Sequence, residues 1–177
     1  VIETVKTNFE CVAKEHEIIF KTDEQANLPD IYADSQRLGQ VLTNLVSNAI
    51  KFTPKGKNII IKSELKNASD IPYNRYFDNE IKMLDGNYII VSVIDEGIGI
   101  REENLLKAFD KFTQIENSLS RKVGGTGLGL PIAKQLIKAH KGTIWCDSEE
   151  NKGSSFYFAL PVSIEKIEEK TIQKELL

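Results

Sequence analysis

Asp95 ends a run, residues 87–94, that reads as a buried strand, and Gly97 and Gly99 follow it at once. Strand side chains alternate between faces, so Ile89, Val91, Val93 and Asp95 share one. A carboxylate that continues an apolar row is costly to bury unless something pairs with it. The two glycines carry no Cβ, which lets backbone approach a flat ligand. An ordinary Asp-Gly turn is the plainer reading of the same residues. A second set, Asn44, Asn48 and Lys51, falls at i, i+4 and i+7 of a helical stretch, on one side of it and beside an apolar stripe. The third is Gly124-Gly125-Thr126-Gly127-Leu128-Gly129-Leu130, which runs into a helix. Backbone N–H groups and the dipole at a helix start favour an anion such as phosphate. Two familiar phosphate patterns are absent. There is no G-x-x-x-x-G-K-[ST], and Leu130 and Glu102 occupy the last place of the near matches to G-x-G-x-x-G. The protein-kinase H-R-D and D-F-G signatures are missing too.

The elements that must hold these residues follow from periodicity. Residues 1–16 read as a helix and 17–20 as a first strand. Asp34 or Ser35 caps a helix over 37–52, whose stripe is Leu38, Val41, Leu42, Leu45, Val46 and Ala49. Residues 57–65 and 87–95 read as strands. Between them, 66–86 has no clean period and reads as an extended hairpin connection or insertion. A variable surface loop is its plain reading, and a docking surface on Tyr73, Tyr76 and Phe77 the alternative. A second helical stretch covers 101–112, and 113–123 is polar and aperiodic. Pro131 fits only the first turn of a helix, so a helix starts near Gly129; Gly142 ends it. Residues 143–147 and 154–160 read as strands joined by a polar turn, and Pro161 stops the second. The charged tail, 163–177, reads as a solvated helix or a linker.

At 177 residues the chain fits one domain, and 41% hydrophobic with 28% charged residues is ordinary for a globular protein. A net charge of −3 gives no electrostatic case for nucleic acid or an anionic membrane. No run reaches the apolar length of a membrane span, and no signal-peptide pattern opens the chain. Cys11 and Cys146 form no framework or metal spacing and read as plain buried thiols of a reducing compartment. The first residue is Val1, not Met, so the chain reads as a piece of something longer.

Taken in order, an Asn-x-x-x-Asn-x-x-Lys helix, an Asp-x-Gly-x-Gly strand end, a Phe-x-x-Phe pair and a Gly-x-Gly-x-Gly helix start resemble the ATP-binding catalytic domain of sensor histidine kinases. These belong to the superfamily that includes gyrase B, Hsp90 and MutL. Residues 37–54 resemble the N box, 95–100 the G1 box, 109–112 the F box and 125–130 the G2 box. The resemblance spans about residues 5–162. It implies an α/β (α+β) two-layer sandwich of the Bergerat type, with a mixed sheet of about five strands covered by three main helices. It implies an ATP-binding catalytic domain over 1–162, with 163–177 a tail or linker.

The resemblance also assigns roles. Asp95 accepts the adenine amino group, which disfavours guanine. Asn48 holds Mg2+ through its amide oxygen, Asn44 lines the same face, and Lys51 reaches a phosphate. Gly97, Gly99 and Ile100 shape the base end. Residues 110–129 form an ATP lid anchored by Phe109 and Phe112. Gly125, Thr126, Gly127, Leu128 and Gly129 cradle phosphate. Many relatives carry an arginine where Gln114 stands, so Lys111, Arg121 or Lys122 is the substitute toward the γ-phosphate. The implied function is a protein-histidine kinase that binds ATP with Mg2+ and passes the γ-phosphate to a histidine on a separate dimerisation and phosphoacceptor domain, with a response regulator downstream. His16 and His140 lack the acceptor box and read as structural or surface residues. The implied setting is cytoplasmic, with a membrane anchor in the parent left open; the domain alone is monomeric and the parent a homodimer. Rival readings are an ATP-binding conformational switch or clamp of the same superfamily and, more weakly, a serine kinase. A hydrolytic clamp needs a base, usually a Glu, where Asn44 stands.

Overall fold

A helix whose apolar residues recur at steps of three and four must bury that stripe, and here it lies across a sheet. The computed structural model describes residues 1–71, 83, 85–105, 107–110 and 127–162. In chain order the described elements are α1 (Ile2–Glu15), β1 (Ile19–Glu24), α2 (Ser35–Phe52), β2 (Asn58–Asn67), β3 (Asn87–Asp95), α3 (Glu102–Leu105), α4 (Gly129–Ala139), β4 (Thr143–Glu149) and β5 (Gly153–Pro161), with a short 3-10 turn at Ala68–Asp70 after β2. The sheet has five strands in the order β1-β2-β3-β5-β4. β1 runs parallel to β2, and the other pairs are antiparallel. This is the two-layer sandwich with a mixed sheet that the resemblance implied.

Helix α2 is the spine of the helical layer. Leu38, Val41, Leu42, Leu45, Val46, Ala49 and Ile50 are all buried. Each large apolar side chain among them contributes about 1.5–3 kcal/mol relative to exposure. Asp34 caps the helix, its side chain accepting from the N–H groups of Gln36 and Arg37, two of the donors that a helix start leaves without an internal partner. Helix α1 adds Val5 and Ala13 to the same core, and α4 adds Ala133 and Ile137.

β3 is buried from Tyr88 to Val93 without interruption, because both faces of the sheet are covered there. Ile89, Val91 and Val93 face the helical core. Tyr88 and Ile90 join Ile71, Trp145 and Ala159 on the other side, with Ala68, Met83 and Tyr157 packed against them. The Trp145 and Tyr157 rings stack there at 5.1 Å. The two ends of the 66–86 connection thus cover the outer face of the sheet; its aromatics Tyr73, Tyr76 and Phe77 lie outside the described residues, as do Phe112, Gln114, Gly125, Thr126 and the tail.

Several local readings change. Of the helix expected over 101–112, the described residues hold Glu102–Leu105; Leu106, Lys111 and Phe112 lie outside them. Bonds from Lys107, Ala108 and Asp110 N–H to carbonyls three residues back tighten the chain into turns instead. Phe109 then turns inward, edge-on to Phe156 at 6.2 Å. The first strand begins later and runs on through Lys21–Glu24, because pairing with β2, not hydrophobicity, makes it a strand. The left-handed residue that closes α4 is Lys141, at φ 58, not Gly142. Gly142 donates to the Ile137 carbonyl, and a Cβ on it would collide with the Ala159 carbonyl. It is glycine because β5 passes so near. Cys146 is buried as expected, but Cys11 is exposed, on the outer side of α1.

Candidate functional site

The site has two ends, both anchored on α2. At the base end, β3 delivers Asp95 at 6% exposure. Its neighbours across the sheet are Ile59 on β2 and Ser154 on β5. Asp95 Oδ1 accepts the N–H of Gly97 at 2.8 Å and of Ser154 at 3.3 Å. No cation among the described residues pairs with it, and Oδ2 has no protein partner among them. Burial pushes the carboxyl up to about 6, against the pull of the two N–H donors. The carboxylate on an apolar face is therefore real, and the protein only half answers it.

The glycines after it lie hard against the protein. A Cβ on Gly97 would lie 2.5 Å from Asp95 Oδ1 and 2.7 Å from the Phe52 carbonyl. A Cβ on Gly99, at φ +67, would collide with the Glu149 carbonyl. Their close partners are protein backbone and the Asp95 carboxylate, so a side chain at either position would unseat the loop. The Ile98 N–H donates to the Phe52 carbonyl at 3.2 Å, and the Ile98 carbonyl accepts from Asn151 at 2.7 Å. Arg101 pairs with Glu150 at 2.8 Å. Ile100 is half-buried, and its N–H is held by Ser148. The β4–β5 hairpin belongs to this end, a role that no motif announces. Its only signal was the polar turn, where Asn151 (φ 66) and Gly153 (φ 106) take left-handed backbone.

At the other end, Asn44 Nδ2 donates to the Gly129 carbonyl at 3.0 Å. This ties α2 to the first turn of α4. The residue before that turn, Leu128, offers no side-chain cap, and Pro131 brings no N–H of its own. The start of α4 therefore presents backbone donors beside Asn44, with Gly127 in left-handed backbone at φ 66. Asn48, one turn along α2, is half-buried, and its amide has no protein partner among the described residues. Lys51 is half-buried, with its ammonium 4.8 Å from the centre of the Phe52 ring. From Asn44 to Phe52 is eight residues, about 12 Å along a helix. One helix thus touches both the 96–100 loop and the α4 start.

Both histidines are helix-end residues. His140 Nδ1–H donates to the Leu136 carbonyl at 2.7 Å, while Nε2 accepts the Asp34 N–H at 3.1 Å. Both nitrogens are engaged in joining the end of α4 to the cap of α2. His16 is exposed, its Nδ1 2.9 Å from the Val12 carbonyl. Among the described residues no group of three or more His, Cys, Asp or Glu side chains could hold a metal ion, and no helix is long and apolar enough to cross a membrane.

A mixed sheet under three helices, a buried strand-end Asp and a glycine-opened helix tied to α2 through Asn44 make an α/β sandwich with two candidate binding ends. The chain belongs to the histidine kinase-, DNA gyrase B-, and HSP90-like ATPase family, whose profile matches residues 33–164. It is 38% identical over 144 residues to the sensor histidine kinase WalK of Bacillus subtilis, a match covering 79% of this chain and 21% of that one. The catalytic domain of histidine kinase ThkA, nucleotide-free, superposes with a TM-score of 0.69 at 32% identity, covering 93% of this chain and 92% of that one. Full-length ShkA in complex with AMPPNP gives a TM-score of 0.70 at 27% identity, covering 91% of this chain and 29% of that one. ThkA has also been solved with the response regulator TrrA; that structure aligns at 29% identity and a TM-score of 0.66, covering 93% of this chain and 40% of that one. The fold and sequence are those of histidine kinase catalytic domains. This chain spans about a fifth of the length of WalK.

Proposed function

We propose that this chain holds ATP and presents its γ-phosphate to a histidine on a separate dimerisation and phosphoacceptor domain. The observation that carries the reading is Asp95: a buried carboxylate whose donors among the described residues are both on one oxygen, with none on the other. An adenine amino group is the complementary donor. Guanine would set a carbonyl against the carboxylate, a mismatch of about 1–3 kcal/mol or more. Gly97, Gly99 and Ile100 hold the loop beside the base, and Gly127, Leu128 and Gly129 offer phosphate the backbone donors of the α4 start. Asn44 fixes that start against α2, and Lys51 supplies charge from the same helix.

The residues also suit Mg2+. Asn48 has an amide oxygen without a protein partner among the described residues, and no carboxylate cluster competes for the ion there. Mg2+ keeps several waters and leans on substrate phosphates, so one protein oxygen suffices. When bound, it would neutralise charge on the phosphates. The domain's own contribution is positioning and electrostatic complementarity. We assign 1–162 to the ATP-binding domain and 163–177 to a tail or linker, the domain alone being monomeric and cytoplasmic and its parent a homodimer that feeds a response regulator.

The clamp reading gains nothing from the geometry, since Asn44, where a hydrolytic base would stand, has its amide bonded to Gly129. The test is transfer from γ-labelled ATP to a supplied phosphoacceptor domain. Acid-labile label on the acceptor, with slow hydrolysis in its absence, is the expected result. Rapid turnover without any acceptor, or acid-stable label, would overturn the proposal.

A further inference from the structure

One hydroxyl joins the elements that surround Asp95. Ser148 is half-buried near the end of β4, directly across from Ser154 on β5. Its Oγ accepts the Ile100 N–H at 2.8 Å, donates to the Gly153 carbonyl at 2.8 Å, and lies 3.0 Å from Ser154 Oγ. A serine hydroxyl has one proton and two lone pairs. With the proton given to Gly153, Ser148 accepts from both Ile100 and Ser154, and its capacity is full. Ser154 is in turn the cross-strand partner of Asp95, and its N–H is one of the two donors on Asp95 Oδ1. Ile100 closes the loop that Asp95 opens. The far end of that loop and the strand flanking the carboxylate therefore meet at Ser148 Oγ.

We propose that Ser148 is a positioning residue for the nucleotide site, holding the 96–100 loop and β5 in the register that leaves Asp95 Oδ2 to the ligand. The inference rests on the adenine role proposed for Asp95. Other contacts hold the loop to α2, β2 and the hairpin turn: Ile98 on Phe52, Glu96 on Asn58, Asn151 on Ile98 and Arg101 on Glu150. None of these reaches β5, and the last is exposed, where such pairs contribute little. Ser148 lies outside the main apolar cluster, so losing its hydroxyl falls on this register and not on the core.

Threonine and valine at position 148 match in shape, differ in the hydroxyl, and both suit a strand. Ser148→Thr and Ser148→Val are compared with the unchanged chain by calorimetric titration with ATP and with GTP, at a temperature where thermal melts show all three folded. Ser148→Thr keeps ATP affinity within about twofold, while Ser148→Val loses about tenfold for ATP and little for GTP, the size of one buried hydrogen bond. The preference for ATP over GTP shrinks accordingly. A hydroxyl that served stability alone would lower the melting temperature and leave that preference unchanged. That result, or equal ATP affinity in the two variants, overturns the proposal. If neither Ser148→Val nor Ser148→Ala folds, the hydroxyl belongs to the fold and the proposal falls as well. An unchanged chain that binds ATP and GTP alike refutes the Asp95 role instead, and does so before any substitution is made.

Discussion

Gly97 and Gly99 at one end of the site and Gly129 at the other belong to similar glycine-rich motifs, yet they meet different surroundings. The first two are pressed against the carbonyls of Phe52 and Glu149. Gly129 has only the Asn44 side chain near it, 3.7 Å from where a Cβ would sit, an ordinary contact. The Asp95 end is fixed in advance by α2, β5 and the β4–β5 hairpin. Among the described residues, the start of α4 has one side-chain bond, from Asn44, and no side-chain cap at Leu128. Base recognition needs a rigid acceptor, because an adenine amine differs from a guanine carbonyl by a single group. Phosphates are recognised by charge and several N–H donors, which tolerate small shifts.

The largest effect that would break this contrast sits on Asp95. Asp95→Asn should weaken ATP binding by about 100-fold, the loss of a charge-assisted bond with a mismatched donor in its place. Titration calorimetry reads it, and retained affinity would remove the base end from the site. The same variant carries a pH signature. Burial raises the Asp95 carboxyl from its ordinary 3.8 to about 6, so between these values the folded chain holds a proton that the unfolded chain has released. The stability from this group is complete below 3.8 and is lost as pH rises through about 6, an effect of up to ~3 kcal/mol. ATP affinity should move the other way, improving as the carboxyl ionises. Asp95→Asn should flatten both slopes relative to the unchanged chain, in urea melts and in titrations across that range.

The glycines give the next effect. Gly99→Ala should destabilise the fold by about 2 kcal/mol or more, from left-handed backbone plus a clash with Glu149. Gly129→Ala should leave stability within about 0.5 kcal/mol, since alanine suits a helix and the space is there. Urea denaturation compares them, and equal losses would erase the distinction between the two ends. The smallest effect is Asn48→Ala. It should reduce the gain in ATP affinity on adding Mg2+ by about tenfold, with no change in melting temperature, because no partner among the described residues depends on that amide. An unchanged magnesium titration would assign the ion elsewhere.

Much of this was legible in the chain. The α2 stripe was read correctly because a 3.6-residue period needs no partner to be visible. The β3 run and its exit into Asp95 were read for the same reason. The helix at 101–112 was over-read, because apolar residues at helical spacing also fit a tight turn that points Phe109 at Phe156. The β4–β5 hairpin was read as two strands and a turn, but its part in the site escaped notice because that part is played by one hydroxyl and by backbone groups, and these carry no periodicity.

The sequence by itself determined that a carboxylate would end an apolar strand, that two asparagines and a lysine would share a helix face, and that a glycine-rich run would open a helix. Those are local facts of side-chain alternation, helical spacing and backbone freedom. Only the tertiary structure decided what the glycines are for, which oxygen of Asp95 the protein occupies, and that Ser148 stands between Ile100 and Ser154. Each of these depends on where residues roughly 50 positions apart come to rest, and that distance is closed by sheet register and core packing, which no local pattern encodes.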